Sequence, residues 1–380
     1  MADTASAEYA FTEEQQALRA AVRKFCADNF DEDTVRRLME SEPRYDRAVW
    51  RRLGSELGVL GMAVPESDGG VGGSLVDQAV AVEEFGATLA CGPLFGTVYL
   101  AIPALVACPA GDARDELLTA LVDGERTAAF EPEPISAAAG TLTGTAARVV
   151  DADAADVLLI AATGSDGVGL YAVDLTGPGV QRTPLVTMDL TRPQARIALD
   201  GAPATLLAGP DEAERVITHA LQVGAALLAV EQVGAAQHLL DLSVEYAKSR
   251  LQFGRQIGSF QAIKHKLADM MVDAEHARST AYHAVWALAD ASDDPALAAS
   301  IAQATCSHAL SRIAADAIQV HGGIGFTWEH QAHLYFKRAA TDAALLGSAE
   351  QHRDRVAEMV LDNAVGHSGA VSVATGIAAR

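Results

Sequence analysis

Apolar residues recur every three or four positions through the first 125 residues, the spacing of amphipathic helices. Thr12 and Gln15 have the spacing of a capping box, and the apolar positions behind them predict a first helix that ends near Asn29. A glycine-rich stretch at 69–73 predicts a loop. The same helical spacing predicts further helices over 46–57, 75–89 and 117–122.

Short β-rich runs replace this pattern from Arg126 onward. Glycine, proline and aspartate separate the runs at regular intervals, which is typical of short strands joined by turns. The pattern therefore predicts a small antiparallel sheet or barrel over 126–208, with strands at 127–130, 148–150, 157–160, 169–173 and 196–199.

Helical periodicity returns at Asp211 and continues to about Leu361. Interruptions near Phe253, at 292–295 and at 322–325 divide it into four or five long helices, which predicts a bundle. The chain is therefore expected to be mainly α with a small β-domain. We expect an N-terminal helical domain at 1–125, a middle antiparallel β-domain at 126–208, a C-terminal helical bundle at 209–365 and a mobile tail at 366–380.

Composition and charge limit the classes of function that the chain can have. Half of the 380 residues are hydrophobic, so the chain can bury a large core. The most apolar long stretch, 216–240, is interrupted by histidine, glutamine and glutamate and predicts no membrane span. The polar amino-terminal stretch is unlike a signal peptide. The four cysteines are scattered without metal-binding spacing, so we expect them to be buried free thiols of a cytoplasmic protein. A net charge of −22 argues against a general nucleic-acid binder.

One window of this acidic chain carries only basic charges. No Asp or Glu occurs from Tyr246 to Lys266, although Lys248, Arg250 and Arg255 lie there around a predicted Phe253-Gly254 turn. Clustered lysine and arginine suit phosphate groups. Charge alone leaves two interpretations open, a solvated corner between helices or a specific anion site.

A second stretch, at 318–330, contains a Gly-Gly pair where a backbone can approach a ligand closely. The R-x-Q-F-G pattern at 250–254 and the Q-V-H-G-G-I-G-F-T pattern at 319–327 together resemble the acyl-CoA dehydrogenase family, over nearly the whole chain. The resemblance implies a C-terminal four-helix bundle, an FAD cofactor and a homo- or hetero-oligomer. It also implies removal of two hydrogens from an acyl-CoA thioester, with electron-transfer flavoprotein as the electron acceptor.

The resemblance further implies which residues hold the cofactor. One group would contact the FAD of a neighbouring subunit and comprises Arg250, Gln252 and Phe253. A second group would approach the diphosphate and adenosine side of the same cofactor and comprises Gln319, Gly322 and Gly323. A guanidinium suits a diphosphate, and glycine permits close backbone approach.

The flavin-facing strand departs from the family pattern. Family members carry T-E-P-G, then a Ser-Asp turn and a strand containing Trp, whereas this chain reads F-E-P-E-P at 130–134. No aromatic residue follows at 144–150. The lost glycine removes a close-approach position, and Glu133 would place a negative charge beside an anionic cofactor. The departure favours a subunit that contributes its Arg250 segment to a site completed elsewhere.

The position of the catalytic base also departs from the pattern. Typical members carry it as Glu in a Y-E-G segment after the H-G-G loop, but this chain has Leu-Leu-Gly at 345–347, and Leu346 cannot accept a proton. Some family members carry their base on the helix that corresponds to the apolar run at 216–240 here. The position that matches theirs lies near Gly224, which is not acidic.

Glu231 is the predicted replacement for the base. It is the only formally charged residue between Arg215 and Asp241, inside an apolar helical run. Desolvation there is expected to raise its pKa, as a base for a weakly acidic carbon requires. The offset from Gly224 is about two turns, or roughly 10 Å, so a structural Glu hydrogen-bonded within the bundle remains the alternative.

The remaining charged motifs give weaker predictions. The Glu83-Glu84 pair is expected on a solvated helix face, and Lys337-Arg338 on the surface. Arg192 either meets substrate or joins the sheet to the bundle. Glu329 and His330 have no third ligand at metal-binding spacing, so no metal site is predicted.

Three functions therefore stay open at this point. The first is a flavoenzyme that forms an α,β-unsaturated thioester. The second is a non-catalytic or half-site partner subunit of a heteromeric enzyme, of a type that acts on bulky substrates such as steroid side chains. The third is a relative with oxidase or other flavin chemistry. Bound flavin in the purified chain, alone and with a partner, separates the first two.

Overall fold

The computed structural model describes residues 11–291 and 293–367. Thr12 caps the first helix through a complete capping box with Gln15, and that helix ends at Asn29, both as the sequence predicts. The helices of the first domain are α1 (Glu13–Asn29), α2 (Glu32–Leu38), α3 (Arg47–Ser55), α4 (Leu75–Thr88), a π-helix (Leu94–Ala101), α5 (Ile102–Ala107) and α6 (Asp112–Val122). The sequence pattern missed α2, the π-helix and α5.

The middle domain is a seven-stranded mixed sheet in the order β5-β6-β2-β1-β3-β4-β7. Its pairs are antiparallel except β1 and β3, which run parallel, so the expected wholly antiparallel sheet is wrong at this pair. The reason is that β2 occupies one edge of β1, and β3 enters the other edge in the direction of β1. The strands are β1 (Ala128–Ala138), β2 (Thr141–Val150), β3 (Val157–Gly164), β4 (Gly167–Asp174), β5 (Val180–Pro184), β6 (Gln194–Pro203) and β7 (Thr205–Ala208).

The third domain is a helical bundle with a short hairpin inserted after its first helix. Phe253 and Gly254 form the hairpin tip, both with positive φ (52° and 77°), as in a two-residue turn between strands. The elements are α7 (Pro210–Ser249), β8 (Leu251–Gln252), β9 (Arg255–Gln256), α8 (Gln261–Asp290), α9 (Pro295–His321), α10 (Ala332–Asp342) and α11 (Ala349–His367). Helix α11 extends into the predicted tail, whose residues 368–380 lie outside the described part of the chain.

Helix α7 is the centre of the molecule. It packs against α4, the π-helix, α8, α9 and α10. By length and apolar composition it is long enough to cross a membrane, but 72% of its most apolar window is buried inside the protein. Burial of this run by helices on several sides explains why the apolar pattern lacks a polar face.

Helices α4 and α7 cross with their backbones in close contact. An added Cβ at Gly86 would lie 2.0 Å from the carbonyl oxygen of Glu231, and one at Gly234 would lie 1.9 Å from that of Glu83. No side chain larger than hydrogen fits at either position without separating the helices. The crossing therefore fixes both buried glutamates, one from each helix.

Candidate active site

The two segments predicted to clamp a cofactor lie side by side. Tyr246, in the last turn of α7, contacts His321 at the end of α9, with ring centroids 4.5 Å apart. Beyond Tyr246 the chain forms the β8–β9 hairpin, and beyond His321 it forms a short 3₁₀ helix, Gly322–Phe326, which is called the glycine-rich loop here. The fold therefore brings together the two motifs that are 70 residues apart in sequence.

These segments face outward. The side chains of Arg250, Gln252 and Gln319 are exposed, and Arg250 makes no ion pair with a described residue. Phe253 is 90% exposed at the hairpin tip, and Phe326 is 81% exposed in the loop. Exposed aromatic and cationic side chains on one face are typical of a surface that meets a ligand or partner.

The glycines of this surface leave room for a cofactor. An added Cβ at Gly254, Gly322 or Gly323 would meet no atom within 4 Å. A backbone without side chains and a guanidinium without an ion pair among the described residues are groups that suit a diphosphate and its adenosine. The residues of this surface therefore fit one end of an FAD molecule.

The strand that the family resemblance expects to face the flavin, at 130–134, does not fit the cofactor in this chain. The backbone N–H of Glu133 donates to Glu131 Oε1 at 3.0 Å, so the side chain of the same strand already satisfies this donor. Burial raises the pKa of Glu131, and the charge of Glu133 adds to the shift. This strand presents carboxyl groups where a close backbone approach to an anionic cofactor would be needed.

Neither expected base position holds a proton acceptor. Leu346 packs half-buried against the core. At Gly224 an added Cβ would lie 2.5 Å from Leu100 Cδ2, so the Leu100 side chain of the π-helix occupies this space and would have to move to admit a side chain.

Glu231 lies in a buried cluster of charges. Its Oε1 accepts from Arg192 Nη2 at 2.5 Å and from Arg338 Nη1 at 2.5 Å, while its Oε2 accepts from the Tyr99 hydroxyl at 2.9 Å. Only 2% of Glu231 is exposed. Both oxygens are therefore engaged by donors, two of them positively charged.

Three further residues complete this cluster. Arg338 Nε donates to Asp189 Oδ2 at 2.8 Å, and Arg338 also donates to the Thr191 hydroxyl at 2.6 Å. Arg192 Nη1 donates to Asp342 Oδ1 at 3.1 Å. The surface position predicted for Arg338 is wrong, since the side chain is fully enclosed. Of the two roles left open for Arg192, the structure shows the one that joins the sheet to the bundle.

The raised pKa predicted for Glu231 is wrong. Burial alone would raise it, but the charges of Arg192 and Arg338 outweigh burial and hold the pKa of Glu231 below its ordinary value. The opposite shift falls on Asp342, where burial and the charge of Glu231 raise the pKa despite Arg192. Glu231 is therefore a stabilised carboxylate, and about 27 Å of helix separates it from the end of α7 at Ser249.

The solvated position predicted for Glu83 and Glu84 is also wrong. Both are 5% exposed. Arg19 and Arg278 form ion pairs with Glu83, and Arg23 forms a bidentate pair with Glu84 at 2.9 Å for both contacts. These pairs tie α1 and α8 to α4.

A helical domain, a mixed sheet and a helical bundle in this order, with a basic hairpin beside a glycine-rich loop, define the class of three-domain flavin-dependent dehydrogenases. Residues 12–125 match the acyl-CoA dehydrogenase N-terminal domain, and residues 214–361 match the acyl-CoA dehydrogenase C-terminal domain. The chain belongs to the acyl-CoA dehydrogenase family, whose members are FAD-dependent oxidoreductases acting on CH–CH bonds.

Similar proteins include acyl-CoA dehydrogenase IpdE2 from Mycobacterium tuberculosis, 40% identical over 340 residues that cover 89% of this chain and 95% of the relative. Among solved structures, the ChsE4-ChsE5 complex from the same organism has a TM-score of 0.85 at 30% identity, covering 96% of this chain and 100% of the other. A Tcur3481-Tcur3483 steroid ACAD variant has a TM-score of 0.82 at 30% identity, covering 93% and 99%.

Proposed function

We propose that this chain is the partner subunit of a heteromeric acyl-CoA dehydrogenase. It presents the hairpin and glycine-rich loop to an FAD that is held chiefly by a related subunit, and that subunit removes the α-proton. The hairpin and the glycine-rich loop, together called the clamp, face outward and leave open space around their glycines. The two expected base positions, in contrast, hold no proton acceptor, and this contrast is the observation that carries the proposal. The heteromeric relatives with solved structures support it.

The charge cluster around Glu231 also supports a related subunit, and not this chain, as the source of the base. A base must be free to accept a proton, and the pKa of Glu231 is lowered by two arginines that enclose it. A carboxylate in this setting stabilises the junction between domains. The proton acceptor is therefore assigned to the partner subunit.

The clamp residues bind and orient the cofactor. Arg250 would donate to the diphosphate, Gln252 and Gln319 would supply further donors, and Gly322 and Gly323 would let the backbone come close. Phe253 would pack on the cofactor or on the partner around it. The chemistry that bound FAD would supply is acceptance of the β-hydrogen as a hydride.

The substrate is an acyl-CoA, and the name of the steroid ACAD relative favours a bulky acyl group. Electron-transfer flavoprotein is the proposed electron acceptor. We place the assembly in the cytoplasm, in agreement with four buried cysteines that are free thiols.

The test is the FAD content per subunit of the purified chain, alone and co-expressed with acyl-CoA dehydrogenase-like neighbours in its genome. We expect a colourless chain alone and a yellow complex with the partner. Reduction of the flavin by acyl-CoA should then require the partner's acidic residue. A yellow homo-oligomer that dehydrogenates an acyl-CoA without any partner would overturn the proposal.

A further inference from the structure

A row of stacked rings joins the two halves of the clamp. Tyr246, on α7 just before the hairpin, contacts His321 with 4.5 Å between ring centroids, and His321 contacts His330 with 4.4 Å. The glycine-rich loop lies between the two histidines in sequence, and an added Cβ at Gly325 would lie 2.8 Å from His321 Cβ. One histidine pair therefore closes the base of the loop and also contacts the helix that carries the hairpin.

Backbone groups fix which nitrogen of each ring carries the proton. His321 Nδ1 lies 2.7 Å from the Ala317 carbonyl oxygen, which can only accept, so Nδ1 donates and Nε2 is the second, unpaired nitrogen. His330 Nδ1 lies 3.2 Å from the backbone nitrogen of Ala332, whose N–H can only donate, so Nδ1 accepts and the ring of His330 is neutral.

A proton added to either ring would break this arrangement. His321 is 3% exposed, and its Nε2 has no hydrogen-bond partner among the described residues, so a proton there would be buried without an acceptor. A proton on His330 Nδ1 would remove the acceptor of the Ala332 N–H. Two charged rings in contact would also repel each other.

The surroundings of the pair favour the neutral rings at pH 7. Burial lowers the pKa of His321. Burial also lowers the pKa of His330, and the charges of His321, His333 and Arg36 add to this shift, whereas Glu32 opposes it. The titratable and charged side chains that face the pair, from α2, α7 and α10, are Glu32, Arg36, Tyr246 and His333.

We propose that His321 is a positioning residue for the cofactor: its neutral ring, stacked between Tyr246 and His330, holds the glycine-rich loop beside the hairpin, and protonation of the two histidines separates them and weakens FAD binding. The proposal rests on the partner-subunit role, because it takes the clamp as the FAD contact. A histidine that must be neutral in the bound state releases a proton on binding, so the affinity is full above about pH 7 and falls as the pH is lowered toward about 5.

The test is FAD titration of the assembled apo-complex between about pH 5 and pH 8. Wild-type affinity should fall at least about tenfold from about pH 7.5 to pH 5.5, the size expected when binding lowers the pKa of one histidine by about one. His321→Phe keeps a ring in the stack and cannot be protonated. Its affinity should lie within about threefold of wild type at the higher pH and fall by less than about threefold over the range.

His276→Phe is the matched control, since His276 is exposed on α8 outside the clamp, and it should keep the wild-type fall. A wild-type affinity that does not change with pH, or a full fall that persists in His321→Phe, would overturn the positioning role. A complex that binds no FAD at any pH would instead reject the partner-subunit role, so the two failures are distinguishable.

Hydrogen exchange in the purified wild-type chain makes the test independent of the variant and of the cofactor. After correction for intrinsic exchange rates, the amides of residues 322–327 should lose at least about tenfold in protection from about pH 7.5 to pH 5.5, because the stacked pair no longer holds the loop. The amides of α4 should keep theirs. Unchanged protection of the loop would overturn the proposal whatever the variants show.

Discussion

At the scale of single residues, the cluster around Glu231 shows how buried charges balance. Arg192 and Arg338 supply two positive charges, while Glu231 and Asp189 supply two negative ones. Asp342 is a fifth member, and its second oxygen has no hydrogen-bond partner among the described residues. Burial and the charge of Glu231 raise the pKa of Asp342 to about 7, so protonation of Asp342 below that pH leaves the other four charges balanced.

Glu231→Gln should lower the free energy of unfolding by about 3–5 kcal/mol, because it leaves a buried positive charge without its partner. Urea unfolding of the purified chain measures the loss. Glu245→Gln is the matched control, since Glu245 is exposed and pairs only with Lys248, and it should change stability by less than about 0.5 kcal/mol.

The same variant tests the hypothesis that Glu231 is the base. If Glu231→Gln folds with wild-type stability yet slows flavin bleaching by acyl-CoA about 100-fold, Glu231 accepts the proton and the structural role is wrong.

Asp151 makes a separate prediction for pH. Burial raises its pKa to about 7, although its Oδ2 accepts from the Gly96 N–H at 2.8 Å. A carboxyl whose folded pKa lies above its unfolded value loses stability as pH rises from about 4 to about 7, and the loss is constant above that range. Asp151→Asn keeps an acceptor and does not titrate. Its unfolding free energy relative to wild type should rise over this range, by about 2–4 kcal/mol in total.

Thermal or urea unfolding at a series of pH values checks this prediction. A difference between Asp151→Asn and wild type that does not vary from pH 4 to pH 8 would show that Asp151 is ionised in the folded chain throughout.

At the scale of elements, the β8–β9 hairpin is the part most clearly shaped for contact. Phe253 has φ +52° and is 90% exposed, so a bulky apolar side chain is held in a backbone region that costs about 1–3 kcal/mol. The Phe253 ring makes an edge-to-face contact with Phe260, at 6.0 Å between centroids, and otherwise faces outward. A partner or cofactor covering the tip would help to offset that cost.

Arg250→Ala should weaken FAD binding by the complex about 10- to 100-fold, the size of one charge-assisted hydrogen bond of about 1.5–3 kcal/mol. Lys248→Ala removes the same charge two residues away, on a side chain already paired with Glu245, and serves as control. Flavin titration of the apo-complex measures both. Equal affinities in the two variants would mean that Arg250 does not contact the cofactor.

Local sequence patterns predicted the secondary-structure elements better than they predicted the positions of the charged side chains. The Phe253-Gly254 turn, the capping box at Thr12 and the burial of Glu231 were all predicted, because each depends on neighbours in sequence. The burial of Arg338 was not, because its partners Asp189 and Glu231 lie more than 100 residues away. Without knowledge of a partner that is distant in sequence, a charged residue beside an apolar helix face is predicted to be solvated.

The candidate site was predictable only in part. The motifs at 250–254 and 319–327 predict the cofactor-contacting residues, and F-E-P-E-P at 130–134 predicts a weakened strand. The filling of the space at Gly224 by Leu100 had no signal in the sequence, because it depends on how a π-helix packs on α7.

At the scale of the whole molecule, the three domains meet at one cluster. Tyr99 comes from the first domain, Arg192 from the sheet domain, and Glu231 and Arg338 from the bundle. Because the contacts are buried and charged, they hold the domains in one arrangement. The hairpin and the glycine-rich loop are therefore carried by domains that are fixed relative to one another.

The double variant Phe253→Ser, Phe326→Ser should weaken association with the partner subunit by at least about tenfold, because it removes two exposed apolar anchors. Its unfolding free energy should stay within about 0.5 kcal/mol of wild type, since both side chains are exposed. Sedimentation of the mixed subunits measures association. Val186→Ser, at a fully exposed position on the sheet domain, is the control, and an equal effect there would contradict a clamp-centred interface.

The glycine crossing of α4 and α7 has a consequence for how this lineage can diverge. Alanine at Gly86 or Gly234 would push the two helices apart and pull both glutamates out of their ion pairs in a single step. Conversely, a descendant that lost one arginine would leave a buried carboxylate with a single charged partner and be selected against. These positions should be inherited or lost as a block, which gives genome surveys a co-varying signature for subunits of this type: Glu83, Gly86, Arg192, Glu231, Gly234 and Arg338.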